Sequence, residues 1–239
     1  MTMTTSMDTI TTDDTHSDPL AMLRLWQLIS PALPVGAYAY SGGMESAIEA
    51  GWVRDESTAQ DWIQGVVSTG LVHLDIPLLV RLYRAWRDND LDAVWYWNSY
   101  IQASRESSEL LAEDRHLGQA LARLLSDLDV EGAEPCRKTG SVSFATLFAL
   151  ATVRWNIALR DAVQGYLWAW CENQVAAAIK LIPLGQTAGQ RILGHLMQTL
   201  PEHVQQGLVI QDQEIGMSAP ALAIASAWHE HQYSRLFRS

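Results

Sequence analysis

Leu110, Leu117, Leu121, Leu124 and Leu128 recur at steps of three, four or seven, which places them on one face of an amphipathic helix. Glu113, Asp114, Arg115 and Arg123 fall between them and are expected to face water or a partner. Ser57 with Gln60 three residues on has the form of a capping box, so a helix is predicted to start there and run towards Leu74. Another is predicted from Pro77 to about Trp86. After it Asp88, Asn89 and Asp90 supply turn and capping chemistry for a helix that resumes at Leu91.

Sustained period-two alternation is scarce, and the Trp-rich stretch from Val94 to Trp97 sits in a helical context. The pattern therefore predicts an all-α fold, a single compact multi-helix domain over residues 19–239. Its main internal break is the stretch from Ser126 to Thr139, where Asp, Glu, Gly, Pro and Cys replace the periodic pattern. Both halves are expected to share one core. A second loop is predicted from Gly207 to Ala219, ahead of a final segment beginning near Pro220. Residues 1–18, rich in Thr and Asp, have neither the basic start nor the apolar stretch of a signal peptide and read as a disordered acidic leader.

Composition narrows the function classes. Apolar residues make up 48% of 239, enough for a substantial core. A formal net charge of -11 repels phosphate backbones and anionic lipid heads, which argues against nucleic acid and membrane partners. The most apolar run, Val175 to Leu184, contains Lys180 and falls short of the roughly 20 residues of a membrane span. Two cysteines, Cys136 and Cys171, imply no disulfide framework and fit a reducing, cytoplasmic setting. The ten tryptophans are expected mostly in the core, with a few as interface anchors.

Several stretches carry candidate chemistry. The segment from Ser30 to Gly43, with two prolines and three glycines, must be a shaped loop. Its end, Ala39-Tyr40-Ser41-Gly42-Gly43, has the outline of a serine nucleophile elbow but lacks the preceding strand, so Ser41 is expected to cap the helix carrying Met44 and Ile48. Gly185 to Arg191 lacks the spacing and the Lys-Ser/Thr pair of a phosphate loop and reads as a helix start whose small residues admit a close neighbour, with Pro183 ending the helix before it. His229 and His231 point to different sides of a helix and do not converge on one ion. Glu172, Asn173 and Gln174 interrupt an apolar helix and need partners. Asn173 reads as part of an internal network and Lys180 as a partner-facing group. The end of the chain, Gln232 to Ser239, pairs aromatics with two arginines, as interface centres do, though a solvated tail has the same composition.

Taken in order, Leu33-Pro34-Val35-Gly36, Glu49-Ala50-Gly51-Trp52-Val53, Asp75-Ile76-Pro77-Leu78, Lys180-Leu181-Ile182-Pro183-Leu184-Gly185-Gln186 and the ending Gln232 to Ser239 resemble the urease accessory protein UreF family. The likeness runs from about Leu23 to Ser239. Gly42-Gly43-Met44-Glu45 departs from the more usual Gln-Gly-Leu-Glu, and Trp228 and His231 also differ from the family pattern. The resemblance implies an all-α homodimer without a catalytic site or a stoichiometrically bound cofactor. Such a protein binds UreD, also called UreH, and recruits the GTPase UreG, and the assembled complex delivers nickel to apo-urease. Carried onto this chain, it points to Tyr40, Glu45, Asp75, Lys180, Gln186, Tyr233, Arg235, Phe237 and Arg238 as partner-binding residues. Residues 220–239 are then a docking segment ordered mainly when UreD binds. Removing Pro220 to Ser239 is expected to abolish UreD binding and leave the helical spectrum nearly intact. Two other readings stand beside this one: a helical enzyme dependent on Ser41, and a metallochaperone that retains nickel through His229 and His231.

Overall fold

The computed structural model describes residues 16–216 and 219–239, and among them eleven α-helices and no strand. They are α1 (Pro19–Leu28), α2 (Met44–Glu49), α3 (Glu56–Val66), α4 (Asp75–Arg87), α5 (Leu91–Ala103), α6 (Ser108–Asp127), α7 (Ala133–Thr139), α8 (Phe144–Arg154), α9 (Leu159–Leu181), α10 (Gln186–Val209) and α11 (Pro220–His229). The all-α single domain is as predicted, and one continuous apolar core reaches from Ala21 to Phe237.

Local chemistry explains most boundaries. Asp18 caps α1 by accepting the Ala21 N–H at 2.8 Å, with Pro19 in the first helical turn, where its missing N–H costs nothing. Asp90 caps α5 in the same way through Ala93, and Asn89 makes the preceding turn with φ at 54°. The start of α3 differs from the prediction. Its cap is Asp55, not Ser57: the Asp55 carboxylate accepts the Thr58 N–H at 2.9 Å, and the Thr58 hydroxyl oxygen accepts the Asp55 N–H at 3.0 Å. Threonine fills the return role usually taken by Glu or Gln. Helix α3 also stops short of Leu74, passing at Val66 into a π turn over Val67–Leu71.

Two predicted loops shrink. The break from Ser126 to Thr139 contains α7, because Pro135 falls within the first turn and Glu134 pairs with Lys138 four residues on. The loop predicted from Gly207 starts only after Val209. Gly207 is helical because α10 crosses α4 there, where a Cβ would stand 2.5 Å from the Ile76 side chain. The loop that follows is tied down by Arg81, whose guanidinium donates to Asp212 at 2.7 and 2.9 Å and to the Ile210 carbonyl at 2.6 Å.

Helix α8, buried from Ala145 to Thr152, packs along α4 in the centre of the molecule, flanked by α6 and α9. Helices α9 and α10 lie along each other, with Gly189 admitting Val175 and Ile179 near the turn between them. Of the tryptophans Trp86 is fully buried, donating its indole N–H to the Thr146 carbonyl at 3.0 Å, whereas Trp26, Trp52 and Trp228 are exposed. A ring with a polar edge is seldom buried whole. Most of the leader expected over residues 1–18 lies outside the described residues. Residues 16–18 belong to the fold: the Ser17 N–H donates to Asp161 at 2.6 Å and the Ser17 hydroxyl accepts from Ala158. No single helix among the described residues is long and apolar enough to cross a membrane.

Candidate functional site

The loop before α2 is shaped by Gly36, Gly42 and Gly43, all at positive φ, and a 3-10 turn over Ala37–Ala39. Its course brings Ser41 and Glu45 against the chain's far end. The Ser41 N–H and hydroxyl both donate to the Ser239 carbonyl oxygen, at 2.7 and 2.5 Å. Ser41 is therefore not the helix cap. Gly43 takes that position, and the Ser41 hydroxyl oxygen accepts only a long 3.3 Å bond from the Glu45 N–H.

Glu45 is the hub of this junction. Its carboxylate accepts the N–H groups of Leu236 at 2.7 Å and Phe237 at 2.9 Å, and faces Nε2 of His229 at 3.2 Å. The opposite nitrogen of His229, Nδ1, lies 2.7 Å from Glu109 on α6, whose other oxygen accepts from Arg235 at 2.7 Å. One turn further along α6, Glu113 accepts the Ser239 hydroxyl at 2.5 Å. The Arg238 N–H completes the seam on the Ala39 carbonyl at 2.8 Å. Three carboxylates from two helices thus hold residues 229–239 through charge-assisted bonds, the strong class of hydrogen bond. Phe237 is buried by the seam and lies 5.4 Å beneath the Lys180 ammonium. The tail, expected to order mainly with UreD, is packed in the single chain.

Behind the seam lies a buried ionic cluster. Arg105 donates to Asp75 at 2.8 Å and reaches Asp114 at 3.5 Å, while the Tyr166 hydroxyl donates to Asp75 at 3.3 Å. Burial pulls the Arg105 guanidinium down, but the carboxylates of Asp75 and Asp114 outweigh it and hold it well above its usual value. Burial raises Asp114 against the opposing pull of Arg105, and raises Tyr166 well above its usual range. Burial also lifts Glu113 to about 7, with the Ser239 hydrogen bond and Arg105 opposing and Asp114 and Glu109 adding to the rise. The cluster lines a cavity of about 170 Å³ between α4, α6 and α9. Asp114 was expected at the surface. It is buried because α6 turns that edge towards α8, where the carboxylate also accepts the Phe144 N–H at 3.2 Å.

The sequence-predicted site residues divide by exposure. Tyr40, Glu45 and Asp75 point inward: the Tyr40 hydroxyl bonds His116 at 3.1 Å, and the Tyr40 carbonyl accepts from Asn173 at 3.1 Å. Asn173 is thus in an internal network, as predicted. Lys180, Gln186, Tyr233, Arg235 and Arg238 are exposed, and Phe237 is buried against the body. Sequence reasoning missed Arg105, Glu109 and Glu113. The available signal was the pair Glu109 and Glu113, four residues apart on one helix face with no basic residue to match them locally. His229 is buried between its carboxylates and His231 is exposed. Among the described residues no group of three or more His, Cys, Asp or Glu side chains is placed to hold a metal ion. Cys136 and Cys171 are buried, which pushes their thiols up to about 11 and about 12.

An exposed apolar stripe on α1, formed by Leu20, Leu23 and Trp26, and the outward side chains Tyr233 and Leu236 are further candidates for contact. A family model, UreF, matches residues 53–197. Curated relatives match almost end to end. A urease accessory protein UreF of Alkalilimnicola ehrlichii is 54% identical over 94% of this chain and 99% of its own length. Those of Hahella chejuensis and Teredinibacter turnerae are 51% and 50% identical, over 92% and 91% of this chain and 99% and 98% of theirs.

Proposed function

The chain belongs to the UreF family of urease accessory proteins, and from that premise we propose that it is a cytoplasmic, non-catalytic scaffold for loading nickel into urease. It joins UreD, also called UreH, to the GTPase UreG in a GTP-dependent complex on apo-urease, acting as a homodimer and modulating the GTPase. Nickel is cargo handled by the assembled complex and is not held stoichiometrically by this chain. The observation that carries the reading is identity of 54% extending over 94% of the chain.

The geometry supports a docking role for the outer side of that tail. Its backbone is pinned by Glu45 while Tyr233 and Leu236 stand in solvent, with Arg238 beside them. A pinned backbone with free side chains lowers the ordering cost of binding. Lys180 above Phe237 and Gln186 at the start of α10 extend the exposed polar rim. Tyr40, Glu45 and Asp75 act from behind, by holding the presenting backbone and its support.

The test is copurification with UreD, together with urease activity in a null strain. Replacing Tyr233 and Leu236 by alanine is expected to weaken UreD binding at least tenfold, since truncating interface anchors costs about 2 kcal/mol or more. Urease activity should fall with it under limiting nickel. Full copurification of the double variant would remove the docking role, and full urease activity in the null strain would remove the maturation role.

A further inference from the structure

We propose that a groove between α2 and the turn after α11 receives an arginine side chain of a partner polypeptide, with the guanidinium lying on the Trp228 ring and paired with the Glu49 carboxylate. The groove encloses about 420 Å³, with Ser46, Glu49 and Ala50 on one wall and Trp228, His231 and Gln232 on the other. Its walls are fixed. Gly43 lets α2 close on α11, where a Cβ would stand 3.2 Å from the Ser226 backbone nitrogen, and the Ser46 hydroxyl donates to Gln232 at 3.0 Å. The turn carrying His231 and Gln232 is closed by their N–H groups, which donate to the Trp228 and His229 carbonyls at 3.0 and 3.1 Å. A partner therefore meets a preformed surface and orders little of it on binding.

Trp228 is 50% exposed near the end of α11, so half of a large apolar ring is left uncovered. Trp52 holds it from the side, with ring centroids 5.1 Å apart, and Trp52 in turn lies 6.3 Å from Trp62 of α3. The three rings form an aromatic wall that ends at the groove. Across from it, Glu49 is exposed at the last position of α2, and among the described residues its carboxylate has neither an ion pair nor a hydrogen bond. Glu45, one turn earlier, is spent on the tail backbone and His229. No lysine or arginine lines the groove.

An open indole face beside an unpaired carboxylate is complementary to a cation, because both attract positive charge. A purely apolar occupant would cover the Glu49 charge without pairing it. A second copy of this chain would bring the same formal surplus, -11, against it. Among cations, an ammonium is a compact point charge, whereas the flat guanidinium can stack on the ring and donate within its own plane to the carboxylate. The groove also continues the outer side of the tail, since Gln232 is followed directly by the fully exposed Tyr233.

The proposal rests on the docking reading and names the chemistry of the partner, so one assay tests both: the affinity of the full-length chain for UreD, measured from low to high salt. Trp228→Ala is expected to weaken binding by about tenfold or more, as loss of an aromatic anchor does. Glu49→Gln should weaken it by about fivefold and flatten its salt dependence. Because both side chains act on one guanidinium, the double variant should lose less than the product of the single losses. At equal concentration and ionic strength, N-acetylarginine amide should release the wild-type complex more readily than N-acetyllysine amide. Absence of any complex with the wild-type chain overturns the docking reading and the groove's partner with it. A complex of unchanged affinity in both single variants overturns the groove and leaves docking standing. Losses that simply multiply overturn the shared guanidinium, and equal release by the two amides overturns the choice of arginine. Both altered side chains are exposed, and a melting temperature close to that of the wild type separates lost contact from lost fold.

Discussion

At Arg105 a single side chain pairs with two carboxylates that the core would otherwise exclude, Asp75 and Asp114. Removing it leaves both buried without a cation, and breaking such an arrangement costs about 3–5 kcal/mol. Arg105→Met is therefore expected to lower the free energy of urea unfolding by that amount, and a loss under about 1 kcal/mol would show that the pair is screened by water in the cavity. Asp75 was recognisable in the sequence as a residue worth naming, but its reason was not. Arg105 lies 30 residues away in the chain, and no local spacing announces the pair. The same holds for Glu45, whose acceptor role depends on backbone N–H groups 191 and 192 residues distant. Tyr40 likewise could be singled out as unusual, while its inward direction is set by His116 and by the glycines that bend the loop.

Elements are where the sequence was most readable, because caps and apolar periods are local. The Asp90 cap, the start of α5 and the stop at Pro183 all rest on neighbours within a turn. Gly207 shows the limit: a glycine read as a loop signal is a packing device, and only the crossing of α4 reveals it. Gly118 on α6 is the tightest such crossing, where a Cβ would stand 2.1 Å from the Val142 carbonyl oxygen. Gly118→Ala must push that backbone away, and at least about 2 kcal/mol of stability should be lost in chemical denaturation. Gly194 on α10 has open space around its missing Cβ, so Gly194→Ala is expected to gain about 0.5–1 kcal/mol from helix propensity alone. Equal responses at the two glycines would contradict the packing of α6 against the segment before α8.

Across the whole molecule, α11 is part of the body rather than a detachable arm. Ala225 and Ser226 are buried, Ser226 bonds Ser107 at 2.6 Å, and His229 lies between α2 and α6. This corrects the boundary expected for a harmless truncation. Removing Pro220 to Ser239 opens the core beside α2 and should lower the melting temperature by several degrees, whereas removing only Tyr233 to Ser239 should leave most of it intact. Indistinguishable melting curves would mean that α11 contributes nothing to the core. The separation between Glu45 and Leu236 has a further consequence in time. A polypeptide is made from its amino end, so the acceptor is complete while 191 residues, the last of them Leu236, remain to be added. At about 5–20 residues per second that interval is roughly ten to forty seconds. During translation, a foreign strand able to donate two adjacent amides to Glu45 meets no rival from the nascent chain's own end.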